Sequence, residues 1–364
     1  MLLGVLFVAC DAQPQERVLS WVSFDPHVHS SLGSNDTDGT GTPELLSIMM
    51  QQRELDYVFL TDHSNSLGSM HCEDVEDCPN LGPEKTQGEW GTNVFFGAEI
   101  SPRQEENNLS KGTGHIGCLP LNDDFSEVIF IDRPFGEITG KDSIDQCHQA
   151  NGFAILHHPF GPASWVSFDW TSMDFDAIEI YNGGAGFDPS DEQTLAFWEE
   201  QVQAGNILPP LGSSDSHRWS TEAPGTVLDG ALGWAQSKIG LEDGASFSAA
   251  ELQHGRIFLG DPSSHLFYEI RNDNQHLFPG EEADFGTKIT LDIAFSSSDS
   301  GLQLEVRHIT SSSIETIFTQ TASSTPQKIE LPLTETGHYY ARLMPKEITL
   351  GVRGFAMGNV ISLR

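Results

Sequence analysis

The chain has 364 residues, of which 38% are hydrophobic, and its formal net charge at pH 7 is -35. This length allows a substantial core, in one large domain or in two of ordinary size. Because Lys and Arg together number only 18, the charge argues strongly against nucleic-acid binding by phosphate neutralisation. The acidity favours solubility or adaptation to a salty habitat over recruitment of a cationic partner.

The N-terminal segment, residues 1–20, resembles the leader of an exported protein. An apolar stretch ends in Phe7-Val-Ala-Cys10, which is similar to a bacterial lipobox, in which Cys10 would be lipidated after cleavage. We therefore expect a periplasmic or cell-surface lipoprotein, anchored to a membrane through Cys10. No Lys or Arg precedes Cys10, unlike in an ordinary signal peptide. A late start codon, a first strand or a frayed terminus are the alternatives.

Export would also account for the other four cysteines, since an even number in an oxidising compartment indicates disulfides. Cys72 and Cys78 enclose an acidic loop, and a bridge between them is the first expectation. A bridge between Cys118 and Cys147 is the second. A metal knuckle at Cys72 and Cys78 is disfavoured, because their spacing is wide and no second cysteine pair follows.

Strand-like and helix-like segments alternate over residues 21–262. We predict strands at 21–25, 56–60, 93–96, 153–156, 177–181 and 207–211, and helices at 43–53, 143–150 and 191–204. Pro43 lies at a favoured first-turn position. Repeated strand–helix units imply parallel strands, and functional residues at strand ends imply the active-site face of a barrel.

The composition changes near residue 263. Short alternating segments separated by Gly, Ser, Asn and Asp then follow, at 266–270, 288–295, 302–309, 328–333, 339–343 and 360–363. This pattern predicts a small β-sandwich. The predicted fold is therefore an α/β barrel over residues 21–262, followed by a C-terminal β-sandwich domain over residues 263–364.

Histidines and carboxylates follow the predicted strands of the first domain. The series comprises His27, His29, Asp62, His63, Glu99, His115, His157, His158, Asp215 and His217. Two histidines at positions i and i+2 of a strand lie on the same face. Because neutral imidazole and carboxylate bind zinc, manganese and iron, the series predicts a multinuclear metal site and a hydrolase.

As an ordered set, these motifs resemble the PHP (polymerase and histidinol phosphatase) superfamily over about residues 21–262. The matching segments are Phe24-Asp-Pro-His-Val-His-Ser30, Asp38-Gly39 with Thr42-Pro-Glu-Leu45, Leu60-Thr-Asp-His63, Gly97-Ala-Glu-Ile100, His115-Ile-Gly, His158-Pro159 and Ser214-Asp-Ser-His217. The resemblance implies a distorted (β/α)7 barrel with a trinuclear site. Two or three divalent ions, Zn, Mn or Fe, would bind there.

The resemblance also implies which residues hold each ion. His27, His29, Glu99 and Asp215 would hold the first. Glu99 would bridge to a second ion, which His115 and His158 would complete. Asp38, His63 and His217 would hold the third. The loop between His29 and Asp38 is longer than in the family, which leaves Asp36 as an alternative to Asp38.

Further residues are candidates for catalysis. His157, Arg218 and His63 could bind the substrate or protonate the leaving group, with Arg218 as an anion clamp. His157 is equally well explained as a buried histidine that supports a ligand or packs in the core. Asp62 would orient His63 or a neighbour. We expect Glu179 and Asn182 to be ordinary polar residues at the rim of the site.

The expected reaction is hydrolysis of a small-molecule phosphoester, with a hydroxide between two ions as the nucleophile. The segments 251–259 and 356–361 are similar to an exported, carbaryl-hydrolase-like branch of the superfamily, which implies carbamate or ester cleavage. Ester, amide or carbamate hydrolysis at the same site is therefore one alternative. A non-catalytic surface protein that binds through its sandwich is the other. The sequence predicts no oligomeric state.

Overall fold

The computed structural model describes residues 17–34, 37–63, 90–100, 115–122, 124–125, 140–161, 174–184, 186–219, 225–226, 229–348 and 354–364. Cys10, Asp36 and the expected Cys72–Cys78 bridge lie outside these ranges. Among the helices in these ranges, none is long and apolar enough to cross a membrane.

The described residues contain three α-helices and a short 3-10 helix. They are α1 at Pro43–Arg53, α2 at Gly140–Gln149, α3 at Pro189–Gln203 and the 3-10 helix at Ala249–His254. Thr42 caps α1 by accepting a hydrogen bond from the N–H of Leu45, and Pro43 occupies the first turn. The three α-helices agree with the predicted ones to within a few residues.

Twelve strands precede residue 262 in the described part of the chain. They are β1 at Ser20–Val28, β2 at Tyr57–Leu60, β3 at Val94–Phe96, β4 at Ala98–Ile100, β5 at His115–Pro120, β6 at Gly152–His157, β7 at Ala177–Asn182, β8 at Pro210–Ser213, β9 at Gly225–Thr226, β10 at Asp229–Gly230, β11 at Gln236–Leu241 and β12 at Ile257–Gly260. β1, β2 and β3 are parallel neighbours in a large sheet, whereas β4 to β8 form a separate five-stranded sheet.

The α/β class is confirmed, but the described residues do not form a regular (β/α)7 barrel. β5 runs antiparallel to both β4 and β6, and β1 pairs antiparallel with β11. Alternating apolar residues identify a strand equally well in either direction, so the sequence could not show this reversal. Isolated parallel bridges, Val28 with Ser216 and His63 with Glu99, connect the two sheets. The ends of the strands that carry histidines therefore meet at this junction.

The C-terminal region is built from strands in its described part, as predicted. They are β13 at Ser264–Asn272, β14 at Gln275–Leu277, β15 at Glu282–Ala283, β16 at Ile289–Ser297, β17 at Leu302–Ile309, β18 at Ile314–Thr321, β19 at Gln327–Pro332, β20 at Gly337–Pro345, β21 at Ala356–Gly358 and β22 at Ile361–Leu363. β13, β14, β16 and β19 form one sheet, whereas β21 pairs with β12 and so continues the large sheet. The domain boundary at 262 stays a prediction.

A disulfide joins β5 to α2 within the core. It links Cys118 and Cys147, whose Cα atoms are 5.5 Å apart, and both side chains are fully buried. The second expected pairing is thus confirmed.

Candidate metal centre

Seven imidazoles and three carboxylates converge where the two sheets meet. They belong to His27, His29, His63, His115, His157, His158, His217, Glu99, Glu179 and Asp215, which we call the histidine cluster. Five triplets among them have ligand atoms mutually within 4.8 Å, so buried groups of this cluster could hold metal ions.

Strand direction explains how His115 enters the cluster. It begins β5 instead of ending a strand, and it pairs with His157 at the end of β6. Because β5 runs antiparallel to its neighbours, its first residue lies at the edge where β6 ends. The expectation that the ligand candidates follow strands is therefore wrong for His115, which begins a strand, although its side chain reaches the same place.

Glu99 lies at the centre of the cluster. Its Oε1 lies 2.6 Å from Nδ1 of His115 and 3.3 Å from Nε2 of His158, and its Oε2 lies 2.8 Å from Nδ1 of His63. Burial would raise the pKa of Glu99, but His115, His27 and His63 together hold it well below its usual range. The carboxylate is therefore ionised, and its two oxygens face different sets of imidazoles.

His27 and His29 point their Nε2 atoms at each other across 3.1 Å. Nε2 of each also lies 3.2 Å from Oδ1 of Asp215. On the other side of the rings, Nδ1 of His27 is 3.0 Å from a Glu179 oxygen and Nδ1 of His29 is 3.1 Å from the Ser34 hydroxyl. These acceptors place the ring protons on Nδ1 and leave the Nε2 lone pairs facing inward.

Such a group of inward lone pairs and carboxylate oxygens requires a positive charge among them. A proton is one possible source: burial lowers the pKa of His27, but Asp215, Glu99 and Glu179 outweigh it and raise that pKa well above its usual value. A divalent cation is the other source, and the donor set fits one. The residues present therefore suit a metal ion.

Stacked rings decide which triplets can act as metal sites. His157 stacks on His27 with centroids 3.7 Å apart and planes 17° apart, and His217 stacks on His29 at 4.0 Å and 16°. An ion bound through a ring nitrogen lies in the plane of that ring, so two stacked, nearly parallel rings cannot share one ion. The triplet of His27, His157 and Glu179 is therefore no metal site, and neither is the triplet of His29, His63 and His217.

His157 lies behind His27 and is only 1% exposed. The absence of a side chain at Gly117 makes room for it, since a Cβ there would overlap the imidazole. This position suits a histidine that supports His27 better than one that meets substrate, so of the two predicted roles the structure favours the packing one.

Asp62 is buried and acts on His29 through a serine. Its Oδ1 accepts the Ser34 hydroxyl at 2.8 Å, and that hydroxyl oxygen faces Nδ1 of His29. The same carboxylate accepts hydrogen bonds from the backbone N–H of Ser30 at 2.6 Å and from the Ser30 hydroxyl at 2.7 Å. Burial raises the pKa of Asp62 to about 6. Asp62 thus orients the loop after β1, as a support for His29.

Asp38 and Arg218 are both exposed and lie outside the histidine cluster. Asp38 accepts a hydrogen bond from the N–H of Thr40 at 3.0 Å, and the Thr40 hydroxyl accepts one from the N–H of Trp219 at 2.7 Å. The loop of Asp38 therefore lies against the segment that follows His217. Its position depends on contacts distant in sequence, which motif spacing does not reveal.

The prediction that Glu179 lies at the rim of the site is wrong. The side chain is 2% exposed and contacts His27. The sequence held a signal for this, because Glu179 is a carboxylate in an otherwise apolar strand, and a buried charge must be paired.

Comparisons with known proteins give little further information. No family model and no curated protein matches the chain. A crystal structure of Endonuclease Q, complexed with a 27-mer duplex substrate that has an abasic lesion at the active site, has 14% sequence identity and a TM-score of 0.39. The match covers 64% of this chain and 56% of that one. The likeness is too low to support an argument about family or function.

Proposed function

We propose that the protein is a metal-dependent hydrolase of the PHP type that cleaves phosphoesters of small molecules. One observation carries the proposal: Nε2 of His27 and Nε2 of His29 face each other at 3.1 Å, beside the carboxylates of Glu99 and Asp215. A cation satisfies all four groups. Imidazole with carboxylate is a donor set for zinc, manganese and iron.

Three ions would bind to different members of the histidine cluster, with Glu99 shared by two of them. His27, His29, Glu99 and Asp215 would hold the first, Glu99 with His115 and His158 the second, and His63 with His217 and Asp38 the third. The Nε2 atoms of His63 and His217 lie 3.5 Å apart, whereas Asp38 is exposed and bonded to Thr40. Because only two of its ligands are in place, we expect the third ion to bind most weakly.

Bound divalent ions would lower the pKa of a water molecule and neutralise charge on a substrate oxygen. The chain's own residues orient the ligands around them: Glu179 and Ser34 hold the Nδ1 protons of His27 and His29. Arg218 is exposed directly after His217. We infer that its guanidinium binds the anionic group of the substrate.

The net charge of -35 supports a small substrate over nucleic acid. We also propose that the protein is exported, anchored through a lipidated Cys10. The Cys118–Cys147 disulfide supports export, because disulfides persist in oxidising compartments.

Metal loading followed by assays on three model substrates tests the proposal. Protein loaded with Mn²⁺ or Zn²⁺ should bind two or three ions per chain and cleave an aryl phosphate faster than an aryl carbamate or acetate. His27→Ala and Asp215→Ala should each abolish turnover. His254→Ala, an exposed histidine outside the cluster, is the matched control and should keep full activity.

Each contrary result has a separate meaning. Fewer than one bound ion would refute the metal centre. Preferential cleavage of the carbamate or acetate would support the alternative hydrolase. Full metal binding without cleavage of any of the three would support a binding protein.

A further inference from the structure

The buried carboxylate of Glu179 accepts hydrogen bonds from four structural elements. Its Oε1 lies 3.0 Å from Nδ1 of His27 on β1 and also accepts the hydroxyl of Ser213 on β8. Its Oε2 accepts the N–H of His158, just after β6, at 2.6 Å, and Nδ2 of Asn182, at the end of β7, at 2.9 Å. The hydrogen bonds to this carboxylate thus come from four segments near the metal centre, one of which is its own strand β7.

Asn182 extends the same arrangement to Asp215. Its Nδ2 is 2.9 Å from Glu179 and 3.3 Å from Oδ2 of Asp215, so the amide lies between two carboxylates. Only the NH2 end can face both, which fixes the orientation of the amide. Its backbone N–H donates to Asp191 near the start of α3 at 3.1 Å, which holds the residue in place.

The two residues that this pair holds have unusual backbones. His158 has φ of 25° and Asp215 has φ of 47°, in the left-handed region that non-glycine residues seldom adopt. Such conformations persist when surrounding contacts enforce them. Glu179 binds the backbone N–H of His158, and Asn182 binds the carboxylate of Asp215.

We propose that Glu179 and Asn182 are a positioning pair, which fixes the Nδ1 proton of His27 and holds His158 and Asp215 in their left-handed conformations before any ion binds. This inference rests on the proposed metal centre. Glu179 is not itself a ligand: the triplet with which it could bind an ion contains the stacked rings of His27 and His157. It acts through the histidine, as carboxylates behind metal-binding imidazoles do.

The test is Glu179→Gln, with zinc affinity measured by competition against a chelator. A glutamine presents one acceptor oxygen and one NH2 group, so the two donors that face one of the Glu179 oxygens lose their acceptor. We expect zinc binding weaker by about 10- to 100-fold. The absorption spectrum of the Co²⁺-loaded protein should change as well, because the NH2 group deprives either His27 or the backbone of His158 of its acceptor. That spectrum reports ligand geometry independently of turnover.

Glu199→Gln is the matched control. Glu199 is also buried, and it binds Arg307 and the Tyr340 hydroxyl away from the cluster. Its substitution should lower stability while leaving zinc affinity and the Co²⁺ spectrum unchanged. Asn182→Ala, at a partly exposed position, tests the pair again if Glu179→Gln does not fold, and should weaken zinc binding about tenfold.

The outcomes separate the two claims. Wild-type affinity and a wild-type Co²⁺ spectrum in both folded variants would overturn the positioning pair and leave the metal centre standing. Failure of the wild-type protein to bind metal would overturn the metal centre, and the pair with it.

Discussion

Removing the Cys118–Cys147 disulfide tests whether this cross-link positions His115 and His158, two of the ligands proposed for the second ion. Replacing both cysteines with alanine removes the cross-link between β5 and α2 without leaving a lone thiol in the core. The two cysteines are 29 residues apart in the sequence. The chain-entropy model for a loop of this length gives a stabilisation of about 3.6 kcal/mol.

The expected effect on melting temperature follows from chain length. For 364 residues, an unfolding entropy of about 2.1 cal/mol/K per residue amounts to roughly 0.8 kcal/mol/K. A loss of about 3.6 kcal/mol should therefore lower Tm by about 5 °C. Urea unfolding of the wild type and the double alanine variant measures the free-energy change directly.

Metal content should not change in the same variant. β5 and β6 pair along their full length, from His115 with His157 to Pro120 with Gly152. This ladder holds His115 and His158 together without the disulfide. A destabilisation below about 1 kcal/mol would refute the entropic argument. Loss of one metal equivalent would show that the disulfide, and not the ladder, positions the ligands.

Three further predictions concern single positions. Gly117→Ala places a Cβ against the His157 ring, and we expect about 2 kcal/mol of destabilisation in urea; no loss would show that the ring can move aside. Arg307→Met leaves buried Glu199, now 2.8 Å from the guanidinium, without its main cation, and should cost about 3 kcal/mol; a loss under about 1 kcal/mol would mean that the pair adds little. Burial raises the pKa of Asp191 well above its usual value, and the negative charge of Asp188 raises it further. The folded protein therefore holds this proton more tightly than the unfolded chain, and the stabilisation is present below about pH 4 and lost as pH rises through the folded pKa. As pH rises from about 5 to about 8, the free energy of unfolding of Asp191→Asn should therefore increase relative to that of the wild type. Parallel profiles of unfolding free energy against pH would contradict this.

The meeting of the histidines was predictable because it depends on local signals. His27 and His29 share a strand face by the period of two, and His63 and His158 follow runs of apolar residues. Residues at one edge of neighbouring strands come together whatever the details of the loops.

The direction of each strand and the contacts between distant segments were not predictable in the same way. The reversal of β5 leaves the apolar pattern unchanged, so the sequence predicts a parallel barrel where the sheet is mixed. The placement of Asp38 depends on Thr40 meeting Trp219, a contact between segments far apart in the sequence. Motif spacing contains no information about either feature.

Glu179 shows where sequence reasoning could have gone further. It lies in Ala177-Ile-Glu-Ile-Tyr181, a strand with buried residues on both faces and with parallel neighbours on either side. The middle of such a strand is not exposed at the rim of the site, so an ionised carboxylate there must be paired or hydrogen-bonded. Among the described residues, its hydrogen-bond partners are His27 on β1, His158 just after β6, Ser213 on β8 and Asn182 at the end of its own strand. A lone carboxylate in a doubly buried strand near strands that end in histidine therefore predicts a residue that orients those histidines, and Glu179 matches that description in its contacts with His27 and His158.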